Sequence, residues 1–210
     1  MAVKSSFLNM VLALGCICLV CSALLGLVNH VTAEPIAAAN LAKTNNAIAA
    51  VVPEFDNVPS EDVMMVEMDG KQYKVYPAKY QDKVLGYAVE VTPTGFGGVI
   101  DMLVGFDAAT GIIYNTSVIS HSETPGLGAK ISESGKGSFR SQFDGMDPAK
   151  TKFQVKKDGG DIDAITASTI TSRAFTSGVA EAYKVYLTIK GEDASDVVTG
   201  ASNTNWEGQQ

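Results

Sequence analysis

Cysteine is nearly missing from this sequence. The three present, Cys16, Cys18 and Cys21, share one apolar stretch near the N-terminus, and nothing after them can form a disulfide framework. The rest of the chain therefore offers no cysteine ligands for an iron–sulfur cluster. Within an apolar helix the three thiols read as small hydrophobes, because metal ligation would place thiolates in hydrocarbon. Positive charge is also scarce. With 16 Lys and Arg against 23 Asp and Glu the net charge is −7, which removes the electrostatic footprint of a nucleic-acid binder and favours solubility. Nucleotide-loop fingerprints are lacking too. Gly95-Phe96-Gly97-Gly98 is followed by no helical pattern, so it reads as a tight turn or a place of close approach, the turn being favoured. Ser134-Gly135-Lys136-Gly137-Ser138 has the wrong spacing for a phosphate loop.

What the chain does have begins at its N-terminus. From Phe7 to Val28 there is no charge, a run of roughly 22 residues that is enough to span a bilayer. Lys4 precedes it and Glu34 is the first acidic residue after it, so the charge bias predicts an N-terminus inside the cell and the bulk of the chain outside. The reading is an uncleaved, single-pass anchor over residues 1–33. Cleavage near Val31-Thr32-Ala33, or a lipoprotein-type Cys16 after Ala13-Leu14-Gly15, competes with it, but the apolar run is long for either. Residues 34–60 read as an alanine-rich juxtamembrane helix, ended by Pro53, and a linker.

The period then changes. Val63–Met68 and Gln72–Tyr76 flank Asp69-Gly70, a hairpin signal. Val84–Val91, Val99–Phe106 and Ile112–Ile119 follow as three more strands. Short connections imply antiparallel pairing, since parallel neighbours need long crossovers. Late in the chain, Phe175, Val179, Ala182, Tyr183, Tyr186 and Leu187 form a helical stripe. The expected class is α+β: one transmembrane helix, then a domain over 61–190 with a largely antiparallel sheet and packed helices. Residues 191–210 read as a polar, disordered tail with Trp206 as its apolar exception.

Directly before the late helix, Thr166, Ser168, Thr169, Thr171 and Ser172 place five hydroxyls within seven positions. A helix cap uses one or two. A helix N-terminus also suits a phosphate, because its N–H groups are free and its dipole end is positive. Cap and anion site both remain open on these residues alone. His121, Glu123 and Lys130 share one loop, yet their spacing supports no nucleophile–base pair.

Thr166-Ala167-Ser168-Thr169 resembles the Ser/Thr-Gly-Ala-Thr signature of FMN-binding domains that carry their flavin covalently, with Ala167 for the usual Gly and Ser168 for the usual Ala. Glu123-Thr124-Pro125-Gly126-Leu127-Gly128 resembles the second hallmark of that family, and Gly95-Phe96-Gly97-Gly98 a third. Ser138-Phe139 through Phe143-Asp144-Gly145 fits the short helix and turn that follow. In this order behind one anchor, the motifs are similar to those of the G-type flavoproteins of Rnf electron-transport complexes. The C-type flavoproteins of sodium-pumping NADH:quinone reductases are the related alternative.

The resemblance implies FMN bound through a phosphoester on Thr169. It places Glu123, Thr124, Gly126 and Leu127 along the ring or ribityl chain and Thr166, Ser168 and Thr171 beside the attachment point. Lys130 and Arg173 are the candidate cations for the phosphate. It implies electron relay inside an ion-translocating ferredoxin:NAD oxidoreductase, with the other Rnf subunits and a maturing flavin transferase as partners. The expected location is the inner membrane, with the FMN domain on the extracytoplasmic side. The chain itself supplies no catalytic residue and no metal ligand in this reading. The contrasting class is an anchored, non-redox binding or scaffold module whose hydroxyl run is only a cap.

Overall fold

The computed structural model describes residues 7–192 together with Ala194 and Val197. Lys4, Trp206 and most of the tail expected from residue 191 onward lie outside the described residues. The chain divides into two units after Lys43.

Helix α1 runs Phe7–Val51. The segments read as anchor and juxtamembrane helix lie on this one helix, which continues through Pro35. A proline removes a single N–H from the ladder, and the alanines at 37–39 carry high helix propensity directly after it. In the first unit Leu12, Leu14, Ile17, Leu19, Leu24 and Leu25 are all exposed, and the helix is long and apolar enough to cross a membrane.

The second unit is built on a five-stranded antiparallel sheet in sequence order. Its strands are β1 (Met64–Met68), β2 (Lys71–Tyr80), β3 (Lys83–Val91), β4 (Asp101–Asp107) and β5 (Ile113–Ser120). Asp69 and Gly70 both have positive φ, at 54° and 74°, which matches the twist a two-residue hairpin needs. Strand β2 continues past the expected end at Tyr76. Its pairing with β1 stops at Val75, so Pro77 lies on an open edge where a missing N–H breaks no ladder bond. Asn57 secures that edge: its amide donates to the Pro77 carbonyl at 3.0 Å, and its oxygen accepts from the Lys79 N–H at 2.9 Å.

Side chains alternate between the two faces, as the period of two requires. Val75, Val89, Met102, Val104 and Phe106 point into the larger core, against helix α2 (Thr169–Lys190). Tyr76, Ala78, Ala88 and Leu103 point the other way and bury Ala47, Ile48, Val51 and Val52 from the end of α1. The approach there is close, since a Cβ on Gly105 would lie 1.6 Å from the Val51 carbonyl oxygen. On the α2 face, Phe139, Phe143 and Phe175 form a triangle of rings with centroids 5.4–5.7 Å apart, each pair worth about 0.5–1.5 kcal/mol beyond its burial. This triangle seats the first half of α2, and with it the helix N-terminus.

Candidate functional site

The five hydroxyls before and within α2 have separate tasks. Ser168 N–H donates to the Ile165 carbonyl at 3.0 Å, closing a tight turn. Ser172 fixes that turn: its Oγ accepts from the Ile165 N–H and donates to the Ser168 carbonyl, both at 2.9 Å. Ser168 occupies the N-cap position but makes no side-chain cap bond, so the dipole end of α2 is left without a hydroxyl cap. Thr171 turns inward and is buried, Thr169 is half-buried, and Thr166 is exposed.

Ala167 sits in this turn with φ at 61°, in the left-handed region that penalises a Cβ. The glycine usual in the signature thus has a backbone reason, and the alanine here holds the same turn under strain. Ala167→Gly should raise stability by about 0.5–1 kcal/mol, the relief of the left-handed penalty less the entropy glycine adds to the unfolded chain. A urea titration checks this, and an unchanged midpoint would mean that the turn relaxes around Ala167.

Glu123 joins its own motif to the glycine cluster and to the start of α2 just after the hydroxyl signature. It is 5% exposed. Its Oε2 accepts from the Thr171 hydroxyl at 2.7 Å, and its Oε1 accepts from the Gly97 N–H at 3.0 Å. Its own N–H donates to His121 Nδ1 at 3.1 Å, so His121 has a backbone-holding role. The glycines around the carboxylate are there for space. A Cβ on Gly95 would lie 2.2 Å from Oε1, and one on Gly128 would lie 2.4 Å from Oε2. A Cβ on Gly97 would lie 2.1 Å from the Ser122 carbonyl oxygen. The glycine cluster favoured as a turn does turn, with the Gly95 N–H donating to the Gly98 carbonyl at 2.8 Å, but close approach is what requires its glycines.

Glu123, Gly128 and Thr171 wall part of a cavity of about 410 Å³, within the usual size of a small-molecule site. Of the residues named from sequence, Glu123, Thr124, Leu127, Ser168, Thr169 and Thr171 line it. Gly126 and Thr166 do not line it. Gly126 instead supplies a positive φ of 74° to the loop, and Thr166 lies on the exposed turn. Phe96, Ile170 and Leu127 line the cavity yet stay 69%, 40% and 42% exposed, which gives its mouth an apolar edge.

The cations are arranged differently from expectation. Arg173 is taken by Asp158 in a two-point pair, both contacts at 2.7 Å, and that guanidinium holds the Asp158 carboxyl below its ordinary range. Lys130 does not line the cavity. The cation that reaches Thr169 is Lys157, on the short 3-10 turn Lys156–Asp158, with Nζ 3.3 Å from Thr169 Oγ1. Nothing in the sequence sets Lys157 apart, since a lysine pair before an aspartate looks like any solvated turn. Phe96 stands out there only as part of a glycine-rich stretch.

An uncapped helix start, a lysine beside a half-buried threonine and an apolar-edged cavity suit a phosphorylated, ring-bearing cofactor. Comparison with known proteins agrees. Residues 95–184 match the FMN-binding domain family, a span that contains Gly95, Glu123 and Thr169. The G subunit of the Na(+)-translocating ferredoxin:NAD(+) oxidoreductase complex of Acetobacterium woodii is 37% identical, over 85% of this chain and 92% of its own. This chain belongs to the family of G subunits of ion-translocating oxidoreductase complexes.

Other members of the family extend the match. The G subunit of the ion-translocating oxidoreductase complex of Cereibacter sphaeroides is 38% identical, over 81% of this chain and 80% of its own. The G subunit of the proton-translocating ferredoxin:NAD(+) oxidoreductase complex of Clostridium ljungdahlii is 33% identical, over 83% and 88%. The fold recurs in the crystal structure of the C subunit of the Na(+)-translocating NADH-quinone reductase from Parabacteroides distasonis, with a TM-score of 0.51 over 73% of this chain and 94% of that one. At 19% identity that likeness speaks for the α+β fold alone.

Proposed function

We propose that this chain relays electrons through FMN held covalently on Thr169, as part of an ion-translocating ferredoxin:NAD oxidoreductase complex in the inner membrane. The observation that carries the reading is the setting of Thr169. Thr169 lines the cavity at the uncapped start of α2, close to where Gly97 and Thr171 meet Glu123. A phosphate in ester linkage to Thr169 Oγ1 would lie at the positive end of the helix dipole, worth about 0.3–1 kcal/mol at an exposed site. FMN supplies the redox chemistry; the chain orients it and sets its electrostatics. Phe96, Leu127 and Ile170 offer apolar surface to a planar ring, while Glu123 and Thr171 fix the wall behind it.

Residues 1–33 belong to this proposal as the anchor, 34–60 as the juxtamembrane segment, 61–190 as the FMN domain on the extracytoplasmic side, and 191–210 as a tail. Other subunits of the complex are the electron partners, and a flavin transferase installs the FMN by moving it from a flavin dinucleotide to Thr169 Oγ1, the pyrophosphate bond breaking as the ester forms, with a nucleoside monophosphate and the hydroxyl proton leaving. A covalent flavin survives denaturation. The full chain, expressed with a flavin transferase and run on a denaturing gel, should give a fluorescent band whose intact mass includes one FMN phosphoryl adduct. A dark band of unmodified mass would leave a folded, anchored module with no claim to electron transfer.

A further inference from the structure

The dipole of α2 is a partial charge, and it meets a cofactor phosphate that carries a full one. We propose that Lys157 is the residue that holds the phosphate on Thr169, an inference that rests on the covalent-FMN reading above.

Three observations carry it. Lys157 Nζ already lies 3.3 Å from Thr169 Oγ1 although the two are twelve residues apart on different elements. That is a long contact to a neutral hydroxyl, and phosphate oxygens are far better acceptors for an ammonium. The turn that carries Lys157 is also held in place. Asp158 is clamped to Arg173 on α2, and the Lys156 N–H donates to the Ile162 carbonyl at 2.8 Å. Finally, the neighbouring cations are engaged. Lys156 pairs with Asp163 at 2.6 Å, and the Lys152 ammonium donates to the Gly159 carbonyl at 2.9 Å. Among the described residues, Lys157 has no carboxylate within ion-pair distance. Lys157 is thus a charge held beside the attachment oxygen with its strongest partner still to come, and Arg173 serves it indirectly by fixing the turn.

The test uses the full chain co-expressed with a flavin transferase, as wild type, Lys157→Arg, Lys157→Gln and Lys157→Glu, with Thr169→Ala as the unlabelled control. Flavin per chain is followed over time by in-gel fluorescence and intact mass, and the loaded proteins are examined by phosphorus NMR. Labelling should slow about three- to tenfold in Lys157→Gln, slow further in Lys157→Glu, and recover in Lys157→Arg. The phosphorus resonance of loaded Lys157→Gln should shift from the wild-type position, and raising the salt should narrow that difference. Wild-type labelling rates and an unchanged resonance in both Lys157→Gln and Lys157→Glu would overturn the proposal while leaving covalent FMN standing. A dark wild-type band, or a labelled Thr169→Ala, would overturn the covalent-FMN reading and this inference with it.

Discussion

Thr169→Ala should give a folded protein with no covalent flavin, while Thr171→Ala should give a flavin-bearing protein that is less stable. The two threonines are two residues apart at the start of one helix, yet their surroundings predict opposite phenotypes. Thr169 is half-buried, its hydroxyl accepts its one side-chain hydrogen bond among the described residues from the exposed Lys157, and it takes no part in capping α2. Removing that hydroxyl deletes the only oxygen that can carry the ester in this reading, and stability should change by no more than about 0.5 kcal/mol. Thr171 is 1% exposed and donates to Glu123 Oε2 at 2.7 Å. Losing that donor leaves a buried carboxylate oxygen short of a partner, at about 1–3 kcal/mol. The Thr169 hydroxyl survives that change, so FMN should still attach. Denaturing-gel fluorescence and urea titration, run on both variants, separate the effects. A dark Thr171→Ala beside a fluorescent Thr169→Ala would move the attachment site by two residues.

Much of the fold could be read from sequence because its determinants are local. Short apolar runs between turn residues placed all five strands within a few residues, and Asp69-Gly70 marked the first hairpin. Short turns then gave the antiparallel pairing that the sheet shows. The misplaced end of β2 has a non-local cause. Pro77 is tolerated because β1 has already ended at that register, and no property of residues 71–80 announces where their neighbour stops. The continuity of α1 through Pro35 was not legible, since whether strong helix formers outweigh one lost bond cannot be read from the proline alone.

The site divides in the same way. Motif resemblance grouped Glu123, Thr124, Gly126, Leu127, Thr166, Ser168, Thr169 and Thr171, and all of these but Gly126 and Thr166 line one cavity. Why those motifs belong together was hidden, because the bonds that join them span 26 and 48 residues and converge on a single carboxylate. The choice of cation was hidden too. Arg173 looked free in sequence, and only the folded chain brings Asp158 against it. Lys157 gains its meaning from that same contact, one residue away.

The convergence on Glu123 makes it the position where one substitution should do most damage. Glu123→Ala orphans two donors at once, the Gly97 N–H and the Thr171 hydroxyl, at about 1–3 kcal/mol each. It also opens a void into which the neighbouring Gly95, Gly97 and Gly128 have no side chains to move. A total loss of about 3–5 kcal/mol is expected, a large share of the stability of a domain this size. Glu123→Gln should lose far less. The amide oxygen can still accept from Gly97, and the Thr171 hydroxyl can rotate to accept from the amide nitrogen, since a hydroxyl serves in either sense. Urea titration of the two variants, read beside flavin labelling, tells positioning from chemistry. If Glu123 acts by fixing the wall, labelling should follow stability, nearly intact in Glu123→Gln and strongly reduced in Glu123→Ala. A stable Glu123→Gln that takes up no flavin would instead show that the site needs the carboxylate's charge, and that Glu123 acts on the cofactor itself.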